Sequence, residues 1–215
     1  MKSSDLVIIG AGGVGRYVAE QLRTVPEWRQ TWRLLGFVDD DPALQGQVID
    51  DLEVLGNVDS LTRSRPCAVI IAIAASRSKK QLLSRLEHDH YFEYPSLIHP
   101  RAWVAASATL GKGALVYPGA HINHHVHLGE FVTVNMGVVL GHDTQVGDFC
   151  SIAPNAALAG HTHLGVGVEF GINACTIQNC HVGDWSRIGA GAVVIEAIPE
   201  ATTAVGVPAR PQGIA

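Results

Sequence analysis

The chain has 215 residues, a formal net charge of −5, 47% hydrophobic residues and 16% charged residues. That length suits one large domain or two small ones with a buried core. The acidic balance without a basic run argues against nucleic acid as a partner. No 18-residue apolar stretch and no leader-like N-terminus is present, so a soluble cytoplasmic protein without membrane insertion is expected.

Residues 5–9, Asp-Leu-Val-Ile-Ile, read as a buried strand. They run into Gly10-Ala-Gly12-Gly13-Val14-Gly15, a G-x-G-x-x-G turn that should open a helix to about Leu22. A second strand is expected over residues 34–38, ending in Asp39-Asp40-Asp41. A third is expected over 67–73 and a helix over about 79–88. This is a small Rossmann-like βαβ arrangement with a parallel sheet, an α/β domain over residues 1–95. Glycines let the backbone approach a phosphate where a helix N-terminus presents unpaired N–H groups. About 95 residues make only one mononucleotide half, so a nucleotide or nucleotide-linked ligand fits better than a dinucleotide. The alternative is that the glycines only make a tight strand-to-helix turn.

From Ile98 to Val194 every sixth residue is apolar, seventeen positions with Thr176 the one exception. Four residues after each stands a small or β-branched residue, as at Ala102, Ala108, Ala114, Ala120 and Val126. A period of six suits neither an α-helix nor an alternating strand; it marks a hexapeptide β-helix. Three hexapeptides make one coil of a triangular prism, so residues 18 apart stack. Glycine at the position after the apolar residue (Gly111, Gly129, Gly141, Gly147, Gly165, Gly171, Gly183, Gly189) is expected at corners with unusual backbone angles. Residues 96–215 therefore form an all-β domain, with the tail from Pro199 covering its open end. Val138, Val139, Ala157 and Ile172 are candidates for a subunit interface.

Eight of the eleven histidines fall at 121, 124, 125, 127, 142, 161, 163 and 181. Stacking by 18 aligns His124, His142 and Gly160 in one column, and His125, Asp143 and His161 in the next. An imidazole beside a carboxylate on an outer corner suits proton removal from an attacking amine or hydroxyl. No two histidines are five apart, the spacing of zinc-binding hexapeptide enzymes resembling γ-class carbonic anhydrases, so no metal is expected. Cys150 and Cys180 occupy small interior slots, and Cys67, Cys150, Cys175 and Cys180 show no C-x-x-C spacing.

The G-A-G-G-V-G-R turn, the G-F-V-D-D-D-P segment, the G-H-D corner and the closing G-V-P-A-R-P resemble the sialic-acid O-acetyltransferase family of hexapeptide acyltransferases. Within it, the similarity is to bacterial nucleotide-sugar N-acetyltransferases acting on 4-amino sugars, of the bacillosamine-pathway type. The resemblance implies a left-handed parallel β-helix and a homotrimer. It implies acetyl-CoA as co-substrate in a groove between solenoids, and a nucleotide sugar held by the N-terminal domain. It implies His142 as general base with Asp143 supporting it, and Asn135 near the reacting amine. It further places Gly12, Gly13, Val14, Asp39, Asp40 and Gly56 at the nucleotide-sugar pocket, and Ser151, Gly160, Ile172 and Ala190 along the acetyl-CoA groove. Val14 replaces a histidine that the family often carries in the glycine turn, and Ser151 stands where it can carry a second histidine. Arg187 and Arg210 are candidates for the CoA phosphates. The expected function is acetyl-CoA-dependent N-acetylation of a nucleotide-linked amino sugar for surface polysaccharide biosynthesis. O-acetylation of a sugar such as sialic acid and a non-catalytic hexapeptide scaffold remain alternatives.

Overall fold

Leu6, Val7, Ile8 and Ile9 are buried because their strand, β1 (Ser4–Ile9), is the middle of a three-stranded parallel sheet. The computed structural model describes residues 4–61, 67–86 and 92–212. After β1 come α1 (Gly13–Thr24), α2 (Pro26–Thr31), β2 (Trp32–Val38), β3 (Val48–Ile49), β4 (Leu52–Glu53), α3 (Val58–Leu61), β5 (Ala68–Ile71) and α4 (Ser76–Leu86). The sheet order is β2-β1-β5. Helix α1 buries Gly15, Val18, Ala19 and Leu22, the i, i+3, i+4, i+7 stripe of an amphipathic helix. Sequence periodicity placed these strands and α1 but missed α2, the β3–β4 hairpin and α3. Those elements are too short for a periodic signal. The third strand is shorter than expected, and α4 begins three residues earlier; residues 87 and 88 of the expected helix lie outside the described ones.

The chain divides into two compact units, Met1–Ala74 with Ser78–Pro95, and Ala75–Arg77 with Ser96–Ala215. The second unit is a β-solenoid of two-residue strands, consistent with a left-handed parallel β-helix. Its three faces are parallel sheets. Face A carries Leu97–Ile98, Leu115–Val116, Thr133–Val134, Ser151–Ile152, Glu169–Phe170 and Arg187–Ile188. Face B carries Trp103–Val104, His121–Ile122, Val139–Leu140, Ala157–Leu158, Cys175–Thr176 and Val193–Val194. Face C carries Thr109–Leu110, His127–Leu128, Gln145–Val146, His163–Leu164 and His181–Val182. Neighbouring strands pair at an offset of 18 residues, as in His121 with Val139 and His127 with Gln145. The apolar positions from Val116 onward fill the prism with the small residues, Cys150 and Cys180 among them. Ile98 is exposed, and Val104 and Leu110 are half-buried, because the first coil has a stacked neighbour on one side only. At the other end Thr203–Val205 extends face A and Arg210–Pro211 folds back antiparallel on it, burying Ala204 and Ala209.

The corner backbone corrects one expectation. The unusual angles fall three residues after the apolar position, not one. Every such residue from Gly113 to Gly191 has positive φ, including His125 (55°), Asp143 (56°) and His161 (58°). Glycine one residue after the apolar position answers a different demand, close approach of the next coil. A Cβ on Gly147 would lie 2.7 Å from the carbonyl carbon of Gly165, and one on Gly129 2.6 Å from the Asp148 nitrogen. The corner from face C to face A accordingly carries glycine on five coils, Gly111, Gly129, Gly147, Gly165 and Gly183.

Gly147→Ala is expected to destabilise the protein by about 1–3 kcal/mol, the usual cost of overpacking a close contact. Denaturant unfolding measures it, and an unchanged midpoint would refute the close-approach reading.

Candidate functional site

In the first unit, the turn after β1 is set by backbone geometry. Gly10 has φ of 101°, in the left-handed region, and its N–H donates to Val38 O at 2.8 Å. A Cβ on Gly15 would sit 1.7 Å from Gly10 O, so this position admits only glycine where α1 crosses the strand. Gly12 caps α1 with no side chain bonded to the helix N-terminus, and no acidic residue lies in its first turn. Nothing comes within 4 Å of a Cβ placed on Gly12 or Gly13, and both residues are exposed. Val14 beside them is half-buried.

Asp39 holds this turn: its Oδ2 accepts from Ala11 N–H at 2.8 Å and its Oδ1 from Asp41 N–H at 3.0 Å. Its own N–H donates to Gly56 O at 3.1 Å, which brings Gly56 to the same place. Asp40 is committed to the scaffold instead. It accepts from Val58 N–H at 3.0 Å and pairs with Arg85 at 2.5 Å, while Arg85 also bonds Asp59 at 2.7 Å. Partial burial pushes the Asp40 carboxyl up, but Arg85 and the Val58 N–H more than offset this and hold it below its ordinary value. No sequence pattern pointed to Arg85, which lies 45 residues away from its partner.

In the second unit, the corner from face B to face C gathers imidazoles. His142 Nδ1 lies 2.8 Å from Asp143 Oδ2, and both side chains are partly exposed, at 44% and 38%. The hydrogen bond from His142, joined by the charges of His161, His142 and His125, outweighs desolvation and keeps the Asp143 carboxyl below its ordinary value. An ionised carboxylate only accepts, so Nδ1 carries the proton and Nε2 presents a lone pair. Gly160 stacks under this ring: a Cβ there would lie 2.7 Å from both Cε1 and Nε2 of His142. His161 meets the His142 ring edge-on, with centroids 5.0 Å apart, and its Nε2 lies 3.9 Å from Asp143 Oδ2. His124 stacks on the other side of His142, at 5.3 Å and 8°. Its Nδ1 lies 2.8 Å from Asn123 Oδ1, which also accepts the His124 backbone N–H.

The exception in the apolar series lies directly behind this corner. Thr176 Oγ1 sits 2.8 Å from Thr162 Oγ1 and accepts from Ala159 N–H at 3.0 Å. The hydroxyl thus takes the N–H of the residue before Gly160. Buried hydroxyls are tolerated because each is bonded.

The chain is similar to known proteins along nearly its whole length. A family model described as the PglD N-terminal domain matches residues 5–86. A perosamine N-acetyltransferase from Caulobacter crescentus, a histidine-to-asparagine variant solved with CoA and GDP-perosamine, is similar at TM-score 0.88 and 31% identity over 98% of this chain and 97% of its own. The acetyltransferase domain of PglB from Neisseria gonorrhoeae FA1090, solved with acetyl coenzyme A, is similar at TM-score 0.88 and 32% identity over 98% and 100% of the two chains. The chain belongs to the hexapeptide-repeat acyltransferases, close to the bacterial nucleotide-sugar N-acetyltransferases. WeeI from Acinetobacter baumannii AYE is similar at TM-score 0.80 and 26% identity over 96% and 99%. No curated protein sequence matches.

Measured against what the family resemblance implies, one protomer brings together only part of the expected constellation. His142, Asp143 and Gly160 meet at the B–C corner. Asn135 lies on the A–B corner, where its Oδ1 accepts from Met136 N–H at 3.1 Å. Ile172 and Ala190 stack on that same A–B corner and are exposed. Ser151 stands on face A between Thr133 and Glu169, half a coil from His142. Val138 is fully buried in the prism and belongs to the core, not to a surface. Arg187 and Arg210 are already paired, with Glu169 at 3.0 Å and Glu196 at 3.3 Å. In the same unit Glu169 also accepts from Ser76 N–H at 3.1 Å, and Arg77 lies 5.0 Å over the Trp185 ring.

The histidines of face C are separate from this corner. His163 and His181 stack at 4.9 Å, and burial, followed by the neighbouring His181, lowers the His163 pKa from 6.5 although Asp184 acts the other way. The unfolded chain therefore takes up a proton near pH 6.5 that the folded protein resists. Stability falls as pH drops through and below that value, until His163 itself protonates in the folded state. His163→Gln should flatten the fall in thermal midpoint between about pH 7 and 5. Parallel curves for wild type and variant would refute this.

Proposed function

We propose that the protein is an acetyl-CoA-dependent N-acetyltransferase acting on the amine of a nucleotide-linked amino sugar, of the 4-amino-4,6-dideoxy type, in surface polysaccharide biosynthesis. The observation that carries it is the His142–Asp143 pair, with Nδ1 donating to an ionised carboxylate and Nε2 left basic on an outer corner. The relatives solved with CoA and GDP-perosamine or with acetyl coenzyme A support the choice of donor and acceptor. No described helix is long and apolar enough to cross a membrane, which accords with a reaction in the cytoplasm, where acetyl-CoA is made.

In the first unit, the exposed Gly12 and Gly13 at the start of α1 offer their N–H groups to the pyrophosphate. The sheet order reverses at β1, so a ligand belongs outside the carboxyl ends of β1 and β5, beside this turn. Asp39 fixes the turn and Asp40 braces it, with Val14 and Gly56 as neighbours.

In the second unit, the sugar amine attacks the thioester carbonyl carbon. His142 Nε2 takes the amine proton as the C–N bond forms, and Asp143 stabilises the resulting imidazolium. The carbon–sulfur bond then breaks, and the imidazolium returns the proton to the departing thiolate. General-base help of this kind is worth roughly 10²–10⁴-fold, and holding amine and thioester together supplies much of the rest.

The assembly in this reading is a homotrimer, and the positions of the exposed apolar residues support association of copies. Trp103, Met136, Val139, Ile172, Ile177 and Ile195 are all exposed on face B and its two flanking corners. Packing this surface against a second copy removes apolar area from water. A neighbour presenting its A–B corner to the B–C corner of the first would bring Asn135, Ile172 and Ala190 toward His142. Acetyl-CoA would lie in the groove between them, with Ser151 of face A and Gly160 along it.

CoA release should require a nucleotide-linked amino sugar, and His142→Ala should lower kcat by roughly 10²-fold or more with little change in KM for acetyl-CoA. Asp143→Asn should lower kcat in the same direction. Release with a hydroxyl acceptor such as sialic acid but not with the amine would overturn N-acetylation, and near-normal kcat in His142→Ala would remove the assigned base. Light scattering should give three times the 22.8 kDa chain mass, and Val139→Glu should yield smaller species with little activity. A monomeric, fully active wild type would sink the shared groove.

A further inference from the structure

The imidazole cluster at the B–C corner exceeds what proton transfer needs. One donor atom from each of His124, His142 and Asp143 lies within 4.8 Å of the others. His161 adds a fourth group, its Nε2 3.9 Å from Asp143 Oδ2. One supporting contact is that of a ligand set. Asn123, which is not a ligand, accepts through Oδ1 from His124 Nδ1 at 2.8 Å. Such an outer hydrogen bond orients a metal-bound histidine and raises its basicity, whereas the 2.8 Å contact of His142 Nδ1 with Asp143 Oδ2 gives way when both groups turn to one ion.

We propose that this corner binds one divalent transition-metal ion through a nitrogen each of His124 and His142 and a carboxylate oxygen of Asp143, and that the ion switches the transferase off. Imidazole and carboxylate donors select zinc, cobalt, nickel or copper over magnesium and calcium. Bonds near 2.0 Å place tetrahedral donors about 3.3 Å apart, so the partly exposed rings need close only a short gap. A neutral imidazole has one lone pair. Once a metal occupies it, the other nitrogen holds the proton, and His142 can no longer accept one whichever nitrogen is bound. The ion acts here as an inhibitor, which is why the five-residue spacing of a zinc cofactor site is not required. The site stands on geometry alone; only the inhibition rests on the proposed transferase reading.

The test titrates the full-length protein with Co²⁺ and follows visible ligand-field absorption, with Zn²⁺ as competitor. Wild type should take up one Co²⁺ per chain and release it to Zn²⁺. His124→Ala and Asp143→Asn should each weaken binding by about tenfold or more, while His181→Ala on face C leaves it unchanged. Circular dichroism confirms that each variant is folded. No stoichiometric Co²⁺ uptake, or equal uptake by His124→Ala and Asp143→Asn, would overturn the site. In the CoA-release assay Zn²⁺ should inhibit wild type and a chelator restore it, with His124→Ala needing about tenfold more Zn²⁺ for the same inhibition. Stoichiometric binding without inhibition would overturn the switch. A wild type that releases no CoA before metal is added sinks the transferase reading, and the Co²⁺ titration still decides the site.

Discussion

Backbone hydrogen bonding between successive coils, which sets residues 18 apart opposite one another, is the constraint on which the second unit rests. Gly141 N–H donates to Leu158 O at 2.7 Å, His161 N–H to His142 O at 2.9 Å, and Asp143 N–H to His124 O at 3.1 Å. The same bonds that hold the prism together therefore set the spacing of the imidazoles. A one-residue slip would move apolar side chains outward and scatter His124, His142 and His161. Scaffold and site share one register, so the chemistry needs no loop of its own to assemble it.

The corners add a second constraint. Asp143 and His161 occupy the positive-φ position that every coil of this prism from Gly113 to Gly191 repeats. Left-handed backbone is costly for most side chains, but asparagine, aspartate and histidine bear it best. The repeat thus already supplies the unusual conformation that points a carboxylate back at the preceding imidazole. Gly160 then clears the volume that His142 needs. Thr176 departs from the apolar pattern where a hydroxyl pair replaces a ladder acceptor behind that glycine. The break in the repeat thus adjoins the corner that carries the candidate site.

In the first unit, two adjacent acids of one sequence motif divide their work. Asp39 gives one oxygen to the glycine turn at Ala11 N–H and the other to Asp41 N–H in its own loop, while Asp40 turns the other way to Arg85 and Val58. Neighbouring residues after a strand point to opposite sides, so they meet different partners. Their shared composition made them look alike in the sequence, and only their surroundings separate them.

The six-residue period fixed the solenoid, its phase and its 18-residue stacking, because every coil must bury the same kind of side chain in the same place. It also placed His142, Asp143 and Gly160 at one corner, since stacking converts sequence distance directly into spatial contact. The glycine turn and the apolar strands located the βαβ unit for a similar reason: each depends on local backbone geometry and burial. The short hairpin, the Arg85 pairing and the Asn123–His124 contact had no periodic signal and came only from the folded chain. So did the true role of the corner glycines, because the clash they avoid is with a coil 18 residues away. The same 18-residue phase already sets Asn135, Ser151, Ile172 and Ala190 apart from His142 within one protomer. The sequence orders such residues around three sides, whereas the partners each side chain bonds at its place are decided by the folded chain.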